Sequence, residues 1–336
     1  MALSSRRAGA LLLLALPLLT ALLCLGVGRY SISLWETLHV LFSPLTGEKI
    51  DAMQFAVVFK IRLPRILQGA LCGAALAVSG AAFQSLFNNP LAVPDTLGVA
   101  SAASCGAVIA LMLRWNLLAV QATALVFGLI AVLLTWSAAR IRKQSTIVMI
   151  VLAGIVISAL FDGLLSLLKY VADPEEALPT ITYWLMGSLS ASNYYTLALG
   201  TPMIGTGLLT IFLLRWRLNI LSLGEDEARS MGIHLRAMRF TVIFAAAAMT
   251  ASCVSMCGKI GWIGLLIPHL ARMVGGGSNQ RIIPLSLSFG AAFTLCVDTV
   301  ARSVTAAEIP VSILTAIVGA PVFIMLLRST QEGGMK

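Results

Sequence analysis

Residues that could perform chemistry are few in this chain, and their spacing matches no catalytic motif. His39, His234 and His269 lie in different segments, so they form no metal-binding set. The pair Gly258-Lys259 lacks the upstream glycine and the following Ser or Thr of a phosphate-binding P-loop. HExxH and GxSxG motifs are also missing from the sequence. We therefore expect a chain without catalytic residues, metal ligands or a cofactor, which cannot hydrolyse ATP by itself.

The cysteines do not indicate a disulfide framework or a zinc site. All six lie inside apolar stretches, and none belongs to a CxxC or Cys/His pattern. Cys253 and Cys257 share a helix face, which we interpret as the packing of small apolar side chains.

A few charged residues lie inside or at the ends of apolar segments, where a charge is costly unless it has a partner. Asp162 lies inside a strongly apolar segment, so it should face a cavity or a polar partner, in a structural or a pathway-lining role. Arg62, Arg65 and Arg302 lie at predicted helix ends, with Asp298 one turn before Arg302. Either Asp298 pairs with Arg302 while the other two meet lipid phosphate or water, or the three form a basic face for an acidic extracellular partner.

The connection between Arg215 and Arg239 carries the signals of a short amphipathic helix. Ser222 and Glu225 match a capping box, and the acidic residues that follow favour the positive end of the helix dipole. Gly232 fits the left-handed position just beyond the helix. The pattern predicts a surface helix that either docks another subunit or only links two longer helices.

The composition defines the elements that must position these residues. Hydrophobic residues make up 59% of the 336 positions and charged residues 11%, with a mean hydropathy of +0.94. Soluble domains are far more charged, which excludes a soluble enzyme, a nucleic-acid-binding protein and a disordered chain. At about 20 residues per span, the apolar residues suffice for on the order of ten membrane helices. We interpret the net charge of +9 as loop charges that orient those helices.

The sequence contains ten apolar spans. We interpret the first as a membrane helix rather than a cleaved signal peptide. Threading them from a cytoplasmic N-terminus places 14 of the 23 Lys and Arg residues inside and 9 outside. The predicted fold is an all-α integral membrane protein of about ten transmembrane helices with both termini cytoplasmic, forming one domain over residues 1–336. The predicted spans cover residues 9–27, 62–87, 96–113 (with Asp95 as N-cap), 117–138, 146–168, 193–214, 240–257, 261–274, 282–301 and 311–327.

Two of these spans are expected to be broken. The span at 261–274 is short and contains Pro268, and the last span carries Gly319 and Pro321 at its middle. Interrupted helices in a bilayer need protein or water to satisfy their free backbone groups. Both spans therefore lie either beside a transport pathway or at ordinary kinks.

The motifs of this chain resemble those of the membrane permease subunits of iron-siderophore, haem and cobalamin ATP-binding-cassette (ABC) importers. The resemblance runs in order from about residue 60 to 327. It rests on Arg62-Leu63-Pro64-Arg65, the run from Ser79 to Ala92, Leu152-Ala153-Gly154, Leu223-Gly224-Glu225 with Ala228-Arg229 and Gly232, Gly261-Trp262-Ile263-Gly264-Leu265 with Ile267-Pro268-His269, Glu308-Ile309-Pro310 and Gly319-Ala320-Pro321.

The resemblance implies a ten-helix subunit of the bacterial inner membrane that pairs with a second permease, usually an identical copy. Two cytoplasmic ATPase subunits would hold ATP and Mg, and an extracytoplasmic binding protein would deliver a ferric siderophore or similar metal chelate. Haem, cobalamin and oxyanion cargoes stay open, and a self-sufficient secondary transporter is the alternative class. No nucleic-acid partner is expected.

The resemblance also assigns roles to particular residues. The coupling segment, at about 219–235, would contact the ATPase through Ser222, Gly224, Glu225, Asp226, Ala228, Arg229 and Gly232. Arg62, Arg65 and Arg302 would meet acidic residues of the binding protein. The gate of the family would lie near Ser145 and Thr146, and the residues themselves add Asp162, Pro268 and Pro321 as pathway or gate candidates. The chain departs from the family at Gly258-Lys259-Ile260-Gly261, where Gly-Pro-Ile-Gly is frequent, so that a charge is expected in an outer loop.

Overall fold

The computed structural model describes residues 2–47, 49–139, 147–221, 225–305 and 307–333. Ser145, Thr146, Ser222 and Gly224 lie outside this part of the chain, as do the side chains of Glu225 and Asp226.

Regular structure in the described residues is entirely helical. The α-helices are α1 (Ala2–Gly26), α2 (Leu34–Thr46), α3 (Ala52–Phe55), α4 (Leu63–Leu86), α5 (Val99–Met112), α6 (Leu117–Ala138), α7 (Ile147–Val171), α8 (Ala177–Leu185), α9 (Tyr194–Leu221), α10 (Glu225–Ser230), α11 (Leu235–Cys257), α12 (Ile263–Gly275), α13 (Asn279–Ser303) and α14 (Val311–Gly333). A π-helical segment, Ala56–Arg62, joins α3 to α4, and a 3₁₀ turn, Pro94–Leu97, precedes α5.

Long apolar helices confirm the all-α membrane class. Six described helical stretches are long and apolar enough to cross a bilayer, and four further apolar helices are shorter. The six are Ala52–Leu86, Leu117–Ala138, Ile147–Val171, Tyr194–Leu221, Leu235–Cys257 and Asn279–Ser303, and the shorter ones are Ala15–Gly26, Val99–Met112, Ile263–Gly275 and Val311–Met325. How many of the shorter helices cross the membrane stays a prediction.

The sequence reading missed two short helices, α2 and α8. The N-terminus of α2 has a complete capping box, in which the Ser33 hydroxyl accepts from the Glu36 N–H and the Glu36 carboxylate accepts from the Ser33 N–H. The Ser-x-x-Glu spacing was visible in the sequence. Neither helix is long enough to span a membrane, so a search for apolar runs passes over both.

Helix α4 lies at the centre of the bundle and packs against α9, α11, α12 and α13. The contacts are close because glycines face each other. A Cβ added to Gly73 would lie 2.3 Å from the Gly290 carbonyl oxygen on α13, and one added to Gly80 would lie 1.9 Å from the Gly264 carbonyl oxygen on α12. Backbone-to-backbone packing of this kind is the usual function of small-residue stripes in membrane helices.

The start of α5 differs from the prediction. Asp95 is not its N-cap, because Asp95 lies in the 3₁₀ turn and α5 begins at Val99 after Gly98, whose φ is +77°. A non-α-helical stretch of about twelve residues therefore separates α4 from α5. Thr96 and Gly98 at its end pack against the backbone of α7 around Gly154 and Ser158.

This stretch meets the connection between α11 and α12 inside the bundle. The Lys259 ammonium lies 3.2 Å from the Asp95 carboxylate, and both side chains are about 40% exposed. The pair lines a cavity of about 230 Å³, to which Leu76, midway along α4, also contributes. The same connection also packs against Gly187, since a Cβ added there would lie 2.6 Å from the Lys259 carbonyl oxygen, and Gly187 accepts from the Val311 N–H. The threading assigns Gly187 and Val311 to the outside and Asp95 to the opposite side, so an outer position for Lys259 stays a prediction.

Candidate functional site

A cluster of charged side chains joins α1, α4, α13 and the segment before α14. At its centre, the Arg65 guanidinium donates through Nε and Nη2 to the Asp298 carboxylate at 2.8–3.1 Å. Its Nη1 and Nη2 also donate to the Glu308 carboxylate, each at 3.0 Å. The guanidinium is therefore held in two bidentate contacts, the strongest geometry available to an arginine–carboxylate pair. We call Arg62, Arg65, Asp298, Arg302 and Glu308 the arginine cluster.

The other two arginines bind the C-terminal end of α1. Arg62 donates through Nη1 to the Leu25 carbonyl at 2.6 Å, and Arg302 donates through Nη2 to the Cys24 carbonyl. The last carbonyls of a helix lack partners within the helix and carry a partial negative charge. The two guanidiniums satisfy these groups and attach α1 to α4 and α13.

All three arginines are buried, which neither sequence interpretation expected. Arg62, Arg65 and Arg302 are only 3%, 7% and 7% exposed, so none presents a free charge at the surface. The predicted pair of Asp298 with Arg302 is present, with 3.7 Å between the carboxylate and Nε, but the hydrogen bonds of Asp298 go to Arg65. Glu308 is about a quarter exposed and is the accessible edge of the cluster. Sequence reasoning gave Glu308 no role, although it lies in a family motif.

The coupling segment contains the predicted short helix, α10. Beyond its C-terminus Gly232 has a φ of +77°, which confirms the predicted left-handed position. The Ile233 N–H donates to the Ala228 carbonyl and the Gly232 N–H to the Arg229 carbonyl, which together form a Schellman motif. Ala228 is fully buried and packs with Ile220 of α9 and Leu235 of α11, while Arg229 is exposed. The helix is thus fixed to the ends of both neighbouring helices.

Replacing Gly232 with valine is expected to misplace this helix without unfolding the protein. The left-handed conformation should cost about 1 kcal/mol with a β-branched side chain, although no described heavy atom lies within 4 Å of the added Cβ. We expect weaker co-purification with the ATPase at unchanged yield of folded permease. Gly277→Val is the control, because Gly277 also has open space and lacks a positive φ. Equal co-purification of both variants would contradict the assignment.

Helix α7 presents a broad apolar face that no described part of this chain covers. Val156, Leu160 and Leu164 are between 41% and 66% exposed, and Asp162 is exposed on the same helix. The described contact of the Asp162 carboxylate is a long one, 3.4 Å from the Ser158 hydroxyl. A carboxylate is costly to place in hydrocarbon, so the location of Asp162 beside a cavity or a polar partner stays a prediction.

The two spans predicted to be broken are continuous helices, so this prediction is wrong. Pro268 is buried within the short helix α12, and Pro321 lies within α14. Trp262, with a φ of +70°, precedes α12 as its N-cap, and its side chain packs against Gly319 of α14. This contact places the start of α12 next to the middle of α14.

Known proteins with similar sequences and structures agree with a helical bundle packed through glycines and with a coupling helix that ends in a C-cap. The model of the FecCD transport family matches residues 13–329. The chain belongs to the FecCD transport family. It is 40% identical to the molybdate import system permease MolB of Haemophilus influenzae, covering 95% of both chains. It is also 36% identical to a probable iron chelatin permease of Helicobacter pylori and 36% identical to the vitamin B12 permease BtuC of Klebsiella pneumoniae, covering 93% and 85% of this chain and 95% and 87% of those proteins.

A solved structure supports the same assignment for this FecCD protein. It is described as an inward-facing conformation of a metal-chelate type ABC transporter, with 39% sequence identity and a TM-score of 0.85 over 94% of this chain and 97% of that one. The FecCD protein is therefore a multi-pass membrane permease of an ABC importer. In importers of this family ATP is hydrolysed by separate subunits, and a binding protein supplies the cargo.

Proposed function

We propose that two copies of this chain form the import pathway for a metal chelate of the ferric siderophore type in the bacterial inner membrane. Ten spans would place both termini in the cytoplasm, where two ATPase subunits bind ATP and Mg. The chain itself would carry no cofactor and perform no catalysis. The observation that carries the proposal is the end-to-end FecCD match combined with the capped helix α10.

The uncovered face of α7 supports the homodimer. A helix whose exposed side is largely apolar but includes Asp162 suits neither lipid alone nor water alone. In a symmetric dimer the same surface of each subunit faces the other. The apolar side chains of α7 would then pack against the second copy, and Asp162 would face the aqueous pathway between the two copies. The mass of the purified permease, with detergent subtracted, should equal two chains, and a single-chain mass would contradict this assembly.

Uptake into proteoliposomes, with ATP and the ATPase inside and the binding protein and cargo outside, tests the function directly. Uptake of labelled ferric siderophore should require ATP, the co-expressed ATPase and the binding protein. An ATPase variant that binds but does not hydrolyse ATP should abolish uptake. Uptake that persists without any ATPase and responds to a proton gradient would instead indicate a secondary transporter.

An oxyanion is the second candidate cargo, and one observation favours it. The Haemophilus influenzae relative at 40% identity is named as a molybdate permease. The cargo retained by the partner binding protein distinguishes the two candidates, because tight binding of molybdate but not of ferric siderophores would favour the oxyanion.

The arginine cluster is proposed to lie at the end of the bundle that receives the binding protein. Reversing the charges of Arg62 and Arg65 does not test this, because both are buried and hold internal partners. The accessible residue is Glu308, whose carboxylate covers the Nη atoms of Arg65. An acidic residue of the binding protein would compete with Glu308 for this guanidinium.

Replacing Glu308 with glutamine is therefore expected to tighten docking. Removing one exposed-edge carboxylate should raise the affinity for the binding protein roughly 1.5- to 5-fold at low salt, and less as salt rises. Titration of the binding protein against permease in nanodiscs measures this. Glu175→Gln changes the same charge at an exposed position on the same predicted side. Affinities that are equal for both variants would place the docking surface elsewhere.

A further inference from the structure

A groove lies between the end of α9 and the beginning of α11, on the flank of the coupling segment. It encloses about 420 Å³, and Met231, Gly232 and Ile233 of the coupling segment are among its lining residues. Trp216, Arg217 and Ile220 line it from α9, and His234, Met238 and Thr241 line it from the other side. His234, Met238 and Thr241 are spaced four and three apart and so lie on one face, while Trp216, Arg217 and Ile220 lie within about one turn of α9. We call this cavity the α9–α11 groove.

The described side chains that line the groove are either positively charged or uncharged. Arg217 and His234 are both exposed within it, and no carboxylate is among the lining residues that the structure describes. The other lining residues are apolar, hydroxylic or glycine. Such a site suits an anion, and a guanidinium is the side chain best shaped to hydrogen-bond to the oxygens of a phosphate group.

An exposed apolar stripe leads from the groove along α9. Leu209, Leu213 and Trp216 follow one another at helical spacing and are 58%, 69% and 54% exposed. In a helix that spans a bilayer, a stripe of this kind faces lipid tails, and tryptophan is enriched where the tails meet the head groups. The groove thus begins at the level of Trp216, where the apolar stripe ends.

We propose that the α9–α11 groove binds the head group of an anionic phospholipid. The phosphate would lie against Arg217 and His234, and the acyl chains would follow Leu213 and Leu209. The orientation in the proposed function places this site in the cytoplasmic leaflet, which is the leaflet rich in anionic lipid. A lipid, rather than a protein segment, is favoured because the positive groove and the apolar stripe are continuous, which matches a molecule with one anionic and one apolar end.

Native mass spectrometry of the purified permease with added lipid tests the proposal. We expect phosphatidylglycerol to be retained in preference to phosphatidylcholine of the same chain length. Arg217→Ala should lower phosphatidylglycerol binding about fivefold, the effect of one basic residue at a membrane surface. Arg215→Ala is the matched control, since Arg215 is on the same helix end but lies over the Phe212 ring at 3.7 Å and does not line the groove. Its lipid binding should be unchanged.

A second variant separates occupancy of the groove from general electrostatics. Ala237 is exposed and lines the groove, so Ala237→Phe should fill it and reduce binding without removing a charge. Equal retention of the two lipids, or equal effects of the two arginine variants, would overturn the proposal. Displacement of the lipid by inorganic phosphate or by the ATPase would likewise overturn it, in favour of a free-anion site or a protein interface. Because lipid retention is measured on the permease alone, a failure of transport does not affect this result.

Discussion

Replacing Asp298 with alanine is expected to destabilise the folded permease by about 3–5 kcal/mol, because it leaves the three buried arginines of the arginine cluster with Glu308 as their one remaining carboxylate in the cluster. Asp298 is 2% exposed and holds the Arg65 guanidinium through three short contacts. Arg302 would lose its nearest carboxylate as well. Denaturant unfolding of the purified protein in micelles, followed by intrinsic tryptophan fluorescence, measures the change in the free energy of unfolding.

The control for this prediction is an ion pair at the surface. Arg114 and Glu176 also form a contact, but their side chains are 81% and 67% exposed. Glu176→Gln should therefore change the free energy of unfolding by no more than about 1 kcal/mol. An equally small effect of Asp298→Ala would mean that water reaches the arginine cluster and screens its charges.

Adding one methyl group at Gly80 is expected to prevent the native contact between α4 and α12. The Cβ would lie 1.9 Å from the Gly264 carbonyl oxygen, a distance that only a shift of the backbone can relieve. Overpacking typically costs about 1–3 kcal/mol, and a clash with rigid backbone should reach or exceed the upper value. The yield of monodisperse protein and its thermal midpoint should both fall sharply in Gly80→Ala.

Replacing glycine with alanine where the added methyl group meets no other atom should not lower the free energy of unfolding. Gly205 lies within α9, and no described heavy atom is within 4 Å of its added Cβ. Gly205→Ala should be neutral or stabilising by up to about 1 kcal/mol, since alanine is the better helix former. If Gly80→Ala behaved like Gly205→Ala, the close approach of α4 and α12 would be wrong.

The parts of the fold that sequence reasoning predicted are those governed by local or solvent-imposed rules. Apolar run length located the long helices, because hydrocarbon requires about 20 apolar residues per span. The left-handed Gly232 was predictable because its cause, the end of α10, lies within a few residues. Helix α2 follows the same local rules, but its 13 residues are too few to be predicted from apolar run length.

The parts that could not be predicted depend on residues far apart in the chain. Arg65 and Asp298 are separated by 233 positions, and the spacing of charges in sequence does not reveal that they meet. The pairing of Asp95 with Lys259 escaped for the same reason, and the membrane threading separated the two. Consequently, three arginines expected at a surface are buried, and Glu308 received no role.

The wide separation within the arginine cluster also has a consequence for biosynthesis. Arg65 leaves the ribosome long before its partners, because 233 further residues must be added before Asp298 exists. At about 5–20 residues per second this takes roughly 10–50 s. During that interval Arg65 has neither of its carboxylates, and Arg302 is not yet present to bind the last carbonyls of α1. The contacts that join α1 and α4 to α13 therefore form only after α13 and the segment before α14 have been synthesised.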